Sequence, residues 1–281
     1  MRRLHIIILL VSLTAITASA QRKTLTILHS NDTHSTILPL AANLPDKTLA
    51  GRGGYVRRAT LVEQERRSDP QLLLFDSGDF SQGSTFYTLF KGDVEVELMN
   101  AMGYDAATIG NHEFDYGMDN MARIFRKCKF PIVCANYDFS GTMLQDIVKP
   151  YVVLKRKGIR IGVFGLCPPL EGLVFKKNYE PIRFLDPIET AQQMVETLRG
   201  KEKCDLVICL SHLGWGDAEY PDNRMIGGTT GIDLVLGGHT HTYMKQMEHV
   251  TSLDGRQVPV EQNGKHAAFV GKITVTMEKK K

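Results

Sequence analysis

The 281-residue sequence has few of the features that mark disordered, fibrous or disulfide-stapled proteins. It contains no internal repeat and no low-complexity tract, and it has only 11 prolines and 5 cysteines. Hydrophobic residues make up 43% of the chain and charged residues 23%, which are ordinary values for a globular protein. A chain of this length buries about three quarters of its unfolded surface on folding, so it can form a large core without a stabilising metal or disulfide.

Long hydrophobic runs are also absent, apart from one at the N-terminus. Two arginines are followed by an apolar stretch from about Leu4 to Ile16 and then by Ala18-Ser19-Ala20. This is the pattern of a cleaved secretory signal peptide, and serine and threonine keep the run below the roughly 20 apolar residues of a membrane span. We therefore expect residues 1–20 to be a signal peptide and the protein to be exported, to the periplasm in a Gram-negative cell, with no stable membrane span.

An excess of one charge sign is missing as well. The formal net charge is +3. Removing the two arginines of residues 1–20 from the 34 basic residues leaves 32, against 31 acidic residues, which is a net charge of +1. The remaining basic clusters are short and scattered, as expected for solvated surface. The sequence therefore predicts no nucleic-acid partner.

The five cysteines do not form a paired motif. None of Cys128, Cys134, Cys167, Cys204 and Cys209 has the C-x-x-C spacing of zinc and redox sites. Three of them stand inside apolar runs, where cysteine usually packs as a small hydrophobic residue. We expect structural rather than catalytic thiols, with at most one disulfide.

Short β-branched runs alternate along the chain with longer segments of helical pattern. Strands are predicted at 24–28, 71–75, 106–109, 131–135, 159–164, 206–210, 232–236 and 268–275, and helices at 55–67, 93–101, 118–128 and 187–198. This alternation predicts an α/β or α+β sandwich with helices outside the sheets, in one domain from about residue 21 to the C-terminus. Residues 39–54 have loop character, and residues 169–181 are too irregular to assign.

Side chains that commonly bind metals stand at the ends of five of these strands. The strand ends read HSNDTH, FDSGD, GNHEFD, SH and GGHTH. Open α/β sheets bind their ligands at such strand ends. The candidate residues are Asp32, His34, Asp79, Asn111, His112, Asp115, His212, His239 and His241.

Spacing and ligand chemistry favour a shared site. Residues i and i+2 of an extended segment point to the same side, so Asp32 with His34, and His239 with His241, can each present two ligands to one cleft. Imidazole nitrogen with carboxylate and amide oxygen, without thiolate, favours Zn, Mn, Fe or Co over a structural cysteine-zinc site or an all-oxygen calcium site. Glycine allows sharp turns directly before the candidate ligands at positions 78, 110, 237 and 238.

Each motif alone is weak evidence for a metal. Asn111-His112 alone is also typical of a turn, and His212 alone of a hydrogen-bonded core residue, so the prediction depends on their joint occurrence. His29 points away from Asp32 and is interpreted as a core or supporting residue. Three further histidines lack such a context and are interpreted as incidental: His5, His249 and His266.

As an ordered set, N-D-x-H, G-D-x-x-Q-G, G-N-H-E-F-D, S-H-x-G and G-G-H-T-H resemble the motifs of the calcineurin-like metallophosphoesterases. More specifically, the set resembles the N-terminal catalytic domain of the 5′-nucleotidase/UDP-sugar hydrolase family, from about Thr24 to Val275. The resemblance implies a four-layer sandwich of two mixed β-sheets flanked by helices. It also implies two divalent metal ions, which are Zn, Mn, Co or Fe.

The resemblance further implies a role for each candidate. His112 would stabilise charge on the phosphoryl oxygens or protonate the leaving group, Asp115 would orient the His112 ring, and Glu113 would brace the loop. Water activated by the metals would attack phosphorus. One metal would be held by Asp32, His34, Asp79 and His241, and the other by Asp79, Asn111, His212 and His239, so that Asp79 is the bridge.

The implied function is an exported dinuclear-metal phosphoesterase that hydrolyses phosphate monoesters, above all 5′-nucleotides. One alternative is a cyclic-nucleotide phosphodiesterase or a UDP-sugar/pyrophosphate hydrolase with the same metal centre. Another is a catalytic subunit that needs a separate nucleotide-binding domain protein. Full-length relatives carry such a domain at the C-terminus, whereas residues 21–281 are expected to form the catalytic domain only.

Overall fold

The computed structural model describes residues 22–277, so the expected signal peptide lies outside the described residues. In chain order the strands are β1 (Lys23–Ser30), β2 (Leu73–Asp76), β3 (Ala106–Thr108), β4 (Ile132–Val133), β5 (Tyr137–Asp138), β6 (Tyr151–Arg156), β7 (Ile159–Leu166), β8 (Arg183–Phe184), β9 (Leu206–Ser211), β10 (Leu234–Leu236), β11 (Glu248–Thr251), β12 (Gln257–Glu261) and β13 (Gly271–Met277).

The helices connect these strands on the outside of the molecule. They are α1 (Tyr55–Ser68), α2 (Thr85–Phe90), α3 (Asp93–Met102), α4 (Gly117–Phe125), α5 (Pro187–Glu196) and α6 (Asp222–Gly227). Helix α5 begins with Pro187 directly after Asp186, whose carboxylate accepts the backbone N–H groups of Ile188 and Glu189. Proline at the first helical position and an acidic cap before it are strong helix-start signals.

Most strands belong to two mixed sheets. The five-stranded sheet has the order β13-β1-β2-β3-β4, and the six-stranded sheet has the order β11-β12-β10-β9-β7-β6. Strands β1 to β4 are parallel, with β13 antiparallel at the edge. Strands β7, β9, β10 and β12 are parallel, and β6 and β11 are antiparallel to their neighbours. Parallel strands end at the same edge of a sheet, so their terminal loops lie together.

Three apolar clusters make the molecule a four-layer sandwich, which confirms the predicted fold class. The first cluster lies between the two sheets and includes Ile27 and Phe75 facing Val163 and Ile208. The second packs helices α1, α3 and α4 on the outer face of the five-stranded sheet. The third packs α5 and α6 on the outer face of the six-stranded sheet.

The predicted elements exist, but several others were missed. Strands β5, β6, β8, β11 and β12 and the short helices α2 and α6 were not predicted. Strand β11 is mostly exposed and β6 is half-buried, so neither shows the apolar run used to find strands. Strand β12 contains Pro259, which argues against a strand. The strand predicted at 268–275 starts later, because residues 268–270 belong to the loop before β13.

Two findings concern the expectations on cysteine and on membrane spans. All five cysteines are free thiols, and four of them are buried, so no disulfide forms among them. Within residues 22–277, no helix combines the length and the apolar character needed to span a bilayer.

Candidate active site

The loops after β1 and β2 are joined by backbone hydrogen bonds. The Asp32 N–H donates to the Gly78 carbonyl at 2.9 Å, and the His34 N–H donates to the Asp79 carbonyl at 3.0 Å. These bonds fix the two loops side by side at the end of the five-stranded sheet. Both carboxylates are buried, with Asp32 at 0% and Asp79 at 2% exposure.

A first cluster of ligand atoms joins the two sheets. Nε2 of His34 lies 2.9 Å from Nε2 of His241. The Asp32 Oδ1 atom lies 3.4 Å from His241 Nε2 and 3.9 Å from His34 Nε2. These three residues can hold one metal ion, because their ligand atoms all lie within 4.8 Å of one another.

A second cluster lies around Asp79. The Asp79 Oδ2 atom is 3.1 Å from His212 Nε2, and His239 is close enough for all three ligand atoms to fall within 4.8 Å. Asp79 also belongs to a third group with His34 and His112. Asp79 therefore belongs to two of the three groups and is linked through His34 to the first cluster.

Several buried ligand atoms have no hydrogen-bond partner within residues 22–277. They are His34 Nδ1, Asn111 Oδ1 and His212 Nε2. Buried polar atoms are almost always paired, so three unpaired atoms on candidate ligand side chains fit a cation site. The tautomer of His212 agrees, because its Nδ1 faces the Ser77 carbonyl at 2.6 Å and must donate there, which leaves Nε2 as a lone pair for a metal. The residues thus fit a metal centre.

The backbone at these ligands is not the extended chain that the i and i+2 argument assumed. Residues with positive φ include Asp32 (47°), His34 (42°), Asp79 (53°), His239 (76°) and His241 (55°). Residues other than glycine rarely adopt a positive φ, and such backbone strain concentrates at functional sites. The expected convergence occurs, but tight left-handed turns produce it rather than strand alternation.

Comparison with known proteins agrees with this geometry. Residues 25–243 match the family described as calcineurin-like phosphoesterase. The chain belongs to this family. Within the family, it resembles the 5′-nucleotidases.

Individual relatives within the phosphoesterase family cover most of this chain. It is 32% identical to the 5′-nucleotidase of Bos taurus over 91% of its own length and 47% of the relative. It is 32% identical to the trifunctional nucleotide phosphoesterase YfkN of Bacillus subtilis, over 91% of its length and 18% of that protein. A solved 5′-nucleotidase precursor from Thermus thermophilus matches with a TM-score of 0.83 at 29% identity, over 91% of this chain and 52% of that one. The chain spans about half the length of the 5′-nucleotidases it matches.

Next to this phosphoesterase centre, His112 and Asp115 form the predicted pair. His112 Nδ1 lies 3.1 Å from Asp115 Oδ2, and both side chains are about one-third exposed. Burial alone would lower the pKa of His112, but the hydrogen bond with Asp115 and the charge of Asp79 outweigh it, and the pKa is raised. The His112 ring is 5.3 Å from that of His34. The geometry allows His112 either to bind a metal or to act on substrate, so its role stays a prediction.

Glu113 braces the loops, as its position in the motif suggested. Its buried carboxylate accepts the backbone N–H groups of Asp79, Ser81 and Gly110 at 2.6–3.1 Å. One side chain thus fixes the loops after β2 and β3 relative to each other, which positions Asp79 and Asn111.

The glycines serve close packing more than turning. Gly78 has a positive φ of 86°, as the turn argument expected, but Gly110, Gly237 and Gly238 do not. A Cβ at Gly110 would lie 2.1 Å from Asp79 Oδ1. Glycine is required at that position because the Asp79 carboxylate occupies the space.

Charge is unevenly distributed over the imidazoles. Burial lowers the pKa of His34, and burial together with the charge of His212 lowers that of His239 to about 4. Burial also disfavours the protonated form of His212, but the charges of Asp79 and Asp32 outweigh the effect of burial. The pKa of His212 is therefore raised well above its usual value. Asp79 shows the reverse effect, because His212 outweighs burial and lowers its pKa. Without a metal, Asp79 and His212 thus each favour the charged form of the other.

Two site residues were missed from the sequence. His266, interpreted as incidental, lies with its ring 5.8 Å from that of His34, and its backbone N–H donates to the Asp32 carbonyl at 2.7 Å. Gln262 supports the GGHTH loop, because its Nε2 donates to the Gly238 carbonyl at 2.7 Å and its Oε1 accepts the Thr242 N–H at 2.5 Å. Both follow β12, which was not predicted. The pairing of β13 with β1 carries their loop to the site.

Proposed function

We propose that this protein is an exported phosphomonoesterase that uses two divalent cations and acts on 5′-nucleotides. The observation that carries the proposal is the convergence of ligand side chains from both sheets on Asp79, which belongs to two of the three ligand clusters. Two cations about 3.5–4 Å apart can clamp the attacking and leaving oxygens of a phosphoryl group. A shared carboxylate between them is what such a spacing requires.

The ligand assignment follows the clusters, with Asn111 added from its place in the G-N-H-E-F-D motif. When bound, the two cations would supply a water of lowered pKa and neutralise charge on the phosphoryl oxygens. Asp32, His34 and His241 would hold one cation, and Asn111, His212 and His239 the other, with Asp79 shared. The Ser77 carbonyl keeps the proton of His212 on Nδ1, and the His239 N–H fixes the Asp32 carboxylate at 3.0–3.1 Å.

His112 would act on the substrate itself. Its Nδ1 is engaged by Asp115, which leaves Nε2 available to a phosphate ester. A protonated His112 can donate to the leaving-group oxygen, and Asp115 stabilises the charged ring. This role is consistent with the raised pKa of His112.

Relatives and the N-terminal sequence support the finer parts of the proposal. Several relatives are named 5′-nucleotidases, and this supports a nucleotide monoester as substrate. Export is supported by the basic, apolar and small-residue order of residues 1–20. N-terminal sequencing of the protein produced in its own cells should start near residue 21 if the segment is cleaved.

A second candidate function is hydrolysis of phosphodiesters or pyrophosphates, including UDP-sugars. The relative YfkN is named a trifunctional nucleotide phosphoesterase, which favours keeping this candidate. The same metal centre would hydrolyse these substrates, because the attack of water on phosphorus does not depend on whether the phosphorus carries a second ester or phosphate group. If the protein depends on a separate nucleotide-binding domain protein, its activity should increase when the two proteins are mixed.

The test is a substrate panel on the purified protein. The panel contains p-nitrophenyl phosphate, bis-p-nitrophenyl phosphate, UDP-glucose and AMP, measured after metal is stripped and after Mn, Zn or Co is restored. The proposal predicts metal-dependent release of phosphate, fastest from AMP. Faster turnover of the diester or of UDP-glucose would favour the second candidate, and metal-independent turnover would contradict both.

A further inference from the structure

A groove of about 510 Å³ opens beside the His112–Asp115 pair. Asp115, whose Oδ2 lies 3.1 Å from His112 Nδ1, forms part of its wall, so the groove lies next to that pair. The lining residues are Asp115, Gly172, Leu173, Val174, Phe175 and Asn178. Apart from Asp115, all of them come from the segment 170–178, which no sequence pattern could assign.

The outer wall of this groove is apolar although it faces solvent. Phe175 is 78% exposed and Leu173 is 47% exposed. Phe175 is the most exposed large hydrophobic side chain within residues 22–277. Large aromatic side chains in soluble proteins are usually buried, so its exposure beside the site suggests a binding role.

The segment that carries Phe175 is anchored on both sides. Leu170 is 4% exposed and packs in the core, and its carbonyl accepts the Val174 N–H at 3.0 Å. On the other side, Asn178 Nδ2 donates to the Asp115 carbonyl at 3.0 Å. Phe175 is therefore presented from a fixed turn whose far end is bonded to the backbone of Asp115.

The position of the proton donor indicates what the groove would bind. A group that protonates the leaving-group oxygen must lie next to the alcohol part of the ester, whereas the phosphoryl part lies at the metals. We propose that the groove binds the leaving group of the substrate and that Phe175 stacks on an aromatic or heteroaromatic ring there. This inference rests on the proposed function, since it takes His112 as the proton donor.

A second exposed aromatic surface provides the competing location. Tyr243 and Phe269 stack with ring centroids 3.9 Å apart and an interplanar angle of 18°. Arg52 lies over Phe269 at 5.1 Å from its centroid, and Tyr243 is 46% exposed. Tyr243 follows the metal-ligand candidate His241 rather than the proton donor, so we assign the leaving group to Phe175.

The test compares an aromatic with an alkyl ester in matched variants. Phenyl phosphate and methyl phosphate are hydrolysed by wild type, Phe175→Ala, Phe175→Tyr, Tyr243→Ala and the control Leu253→Ala. Leu253 is 70% exposed and lies between β11 and β12. Binding of the product adenosine, followed by saturation-transfer NMR, gives a readout that needs no turnover.

The expected result is a loss of selectivity confined to one variant. Phe175→Ala should lower the ratio of kcat/KM for phenyl phosphate over methyl phosphate by about 2- to 10-fold, the range of a single aromatic pair, and should weaken adenosine binding. Phe175→Tyr should keep both, and Leu253→Ala should change neither.

Two results would overturn the assignment of the leaving group. One is an unchanged ratio and unchanged adenosine binding in Phe175→Ala, and the other is a loss in Tyr243→Ala instead. If wild type hydrolysed neither ester with metal present, the proposed function would fail. Adenosine binding that is lost in Phe175→Ala alone would then still identify the groove as a ring-binding site.

Discussion

The two sheets contribute different chemistry to the same site. Loops of the five-stranded sheet supply two carboxylates, an amide and one imidazole, from Asp32, Asp79, Asn111 and His34. Loops of the six-stranded sheet supply only imidazoles, from His212, His239 and His241. Each proposed metal site takes ligands from both sheets, so the centre exists only where the sheets meet.

The contacts between the two loop sets show how they are held together without a metal. Ser77, from the five-stranded sheet, accepts from His212 through its carbonyl and donates through Oγ to the Leu236 carbonyl at 2.7 Å. The His239 N–H, from the six-stranded sheet, donates to the Asp32 carboxylate of the five-stranded sheet. Hydrogen bonds thus preorganise the ligands, and bound cations would add a second connection between the sheets.

The most damaging single change should be Asp79→Asn, because Asp79 serves both metal positions. We expect loss of both bound metal ions and a fall in turnover of about 10⁴-fold, since metal ions contribute several kcal/mol to such reactions. Metal analysis and steady-state kinetics measure the two effects. The exposed Asp217→Asn is the control, and retention of both ions in Asp79→Asn would show that Asp79 is no bridge.

His112→Asn separates the proton donor from the ligands of both sheets. If His112 acts on substrate, this variant should keep its metal content and lose turnover by about 10²–10⁴-fold. Elemental analysis beside kcat tests this division. Metal loss equal to that of Asp79→Asn would instead place His112 among the ligands, as its proximity to His34 and Asp79 permits.

Gly238→Ala is a smaller change at the contact between the loop sets. The added Cβ would lie 2.9 Å from both His212 Nδ1 and the Ser77 carbonyl oxygen. We expect the free energy of unfolding to fall by about 1–3 kcal/mol and metal affinity to fall with it. Gly200→Ala, which meets nothing within 4 Å, is the control. Equal thermal stability of the two variants would argue against tight contact between the sheets there.

Asp222→Asn should affect turnover least, while changing how stability depends on pH. Asp222 is fully buried, with Oδ1 bonded to Ser211 and Oδ2 without a hydrogen-bond partner among residues 22–277. Burial raises its pKa from 3.8 to about 7. The folded protein therefore holds this proton more tightly than the unfolded chain, so the contribution of Asp222 to stability falls as pH rises from about 4 to 7, by an amount on the order of a few kcal/mol.

Thermal melts of metal-free protein across this pH range test that slope. Asp222→Asn should lose part of it, because the amide does not titrate. The buried Asp76, whose pKa burial also raises to about 7, contributes in the same direction and is unchanged in the variant. Superimposable pH profiles of wild type and variant would contradict a raised pKa at Asp222.

The sequence predicted the buried strands, the helices and the candidate ligands better than the strands at the edge of the six-stranded sheet. Long apolar strands such as β7 and β9 and the amphipathic helices follow from periodicity, and the candidate ligands follow from their position at strand ends. The exposed strand β11 and the proline-containing β12 carry no such signal. As a result, the loop that brings Gln262 and His266 to the site could not be located from the sequence.

The geometry within the site was also beyond the sequence. Extended backbone would place Asp32 and His34 on one side, but the actual turns have positive φ, which interactions with neighbouring loops must stabilise. Glu113 provides some of that support by accepting three backbone N–H groups from two loops. Such long-range contacts decide the conformation, and no local pattern reports them.

The most direct test of a centre shared by two sheets is metal titration of stripped wild-type protein, with bound ions and turnover of p-nitrophenyl phosphate measured at each step. The account predicts that turnover is absent without metal and reaches its maximum only when two ions are bound per chain. Full turnover with one ion bound, or turnover that persists after stripping, would contradict it.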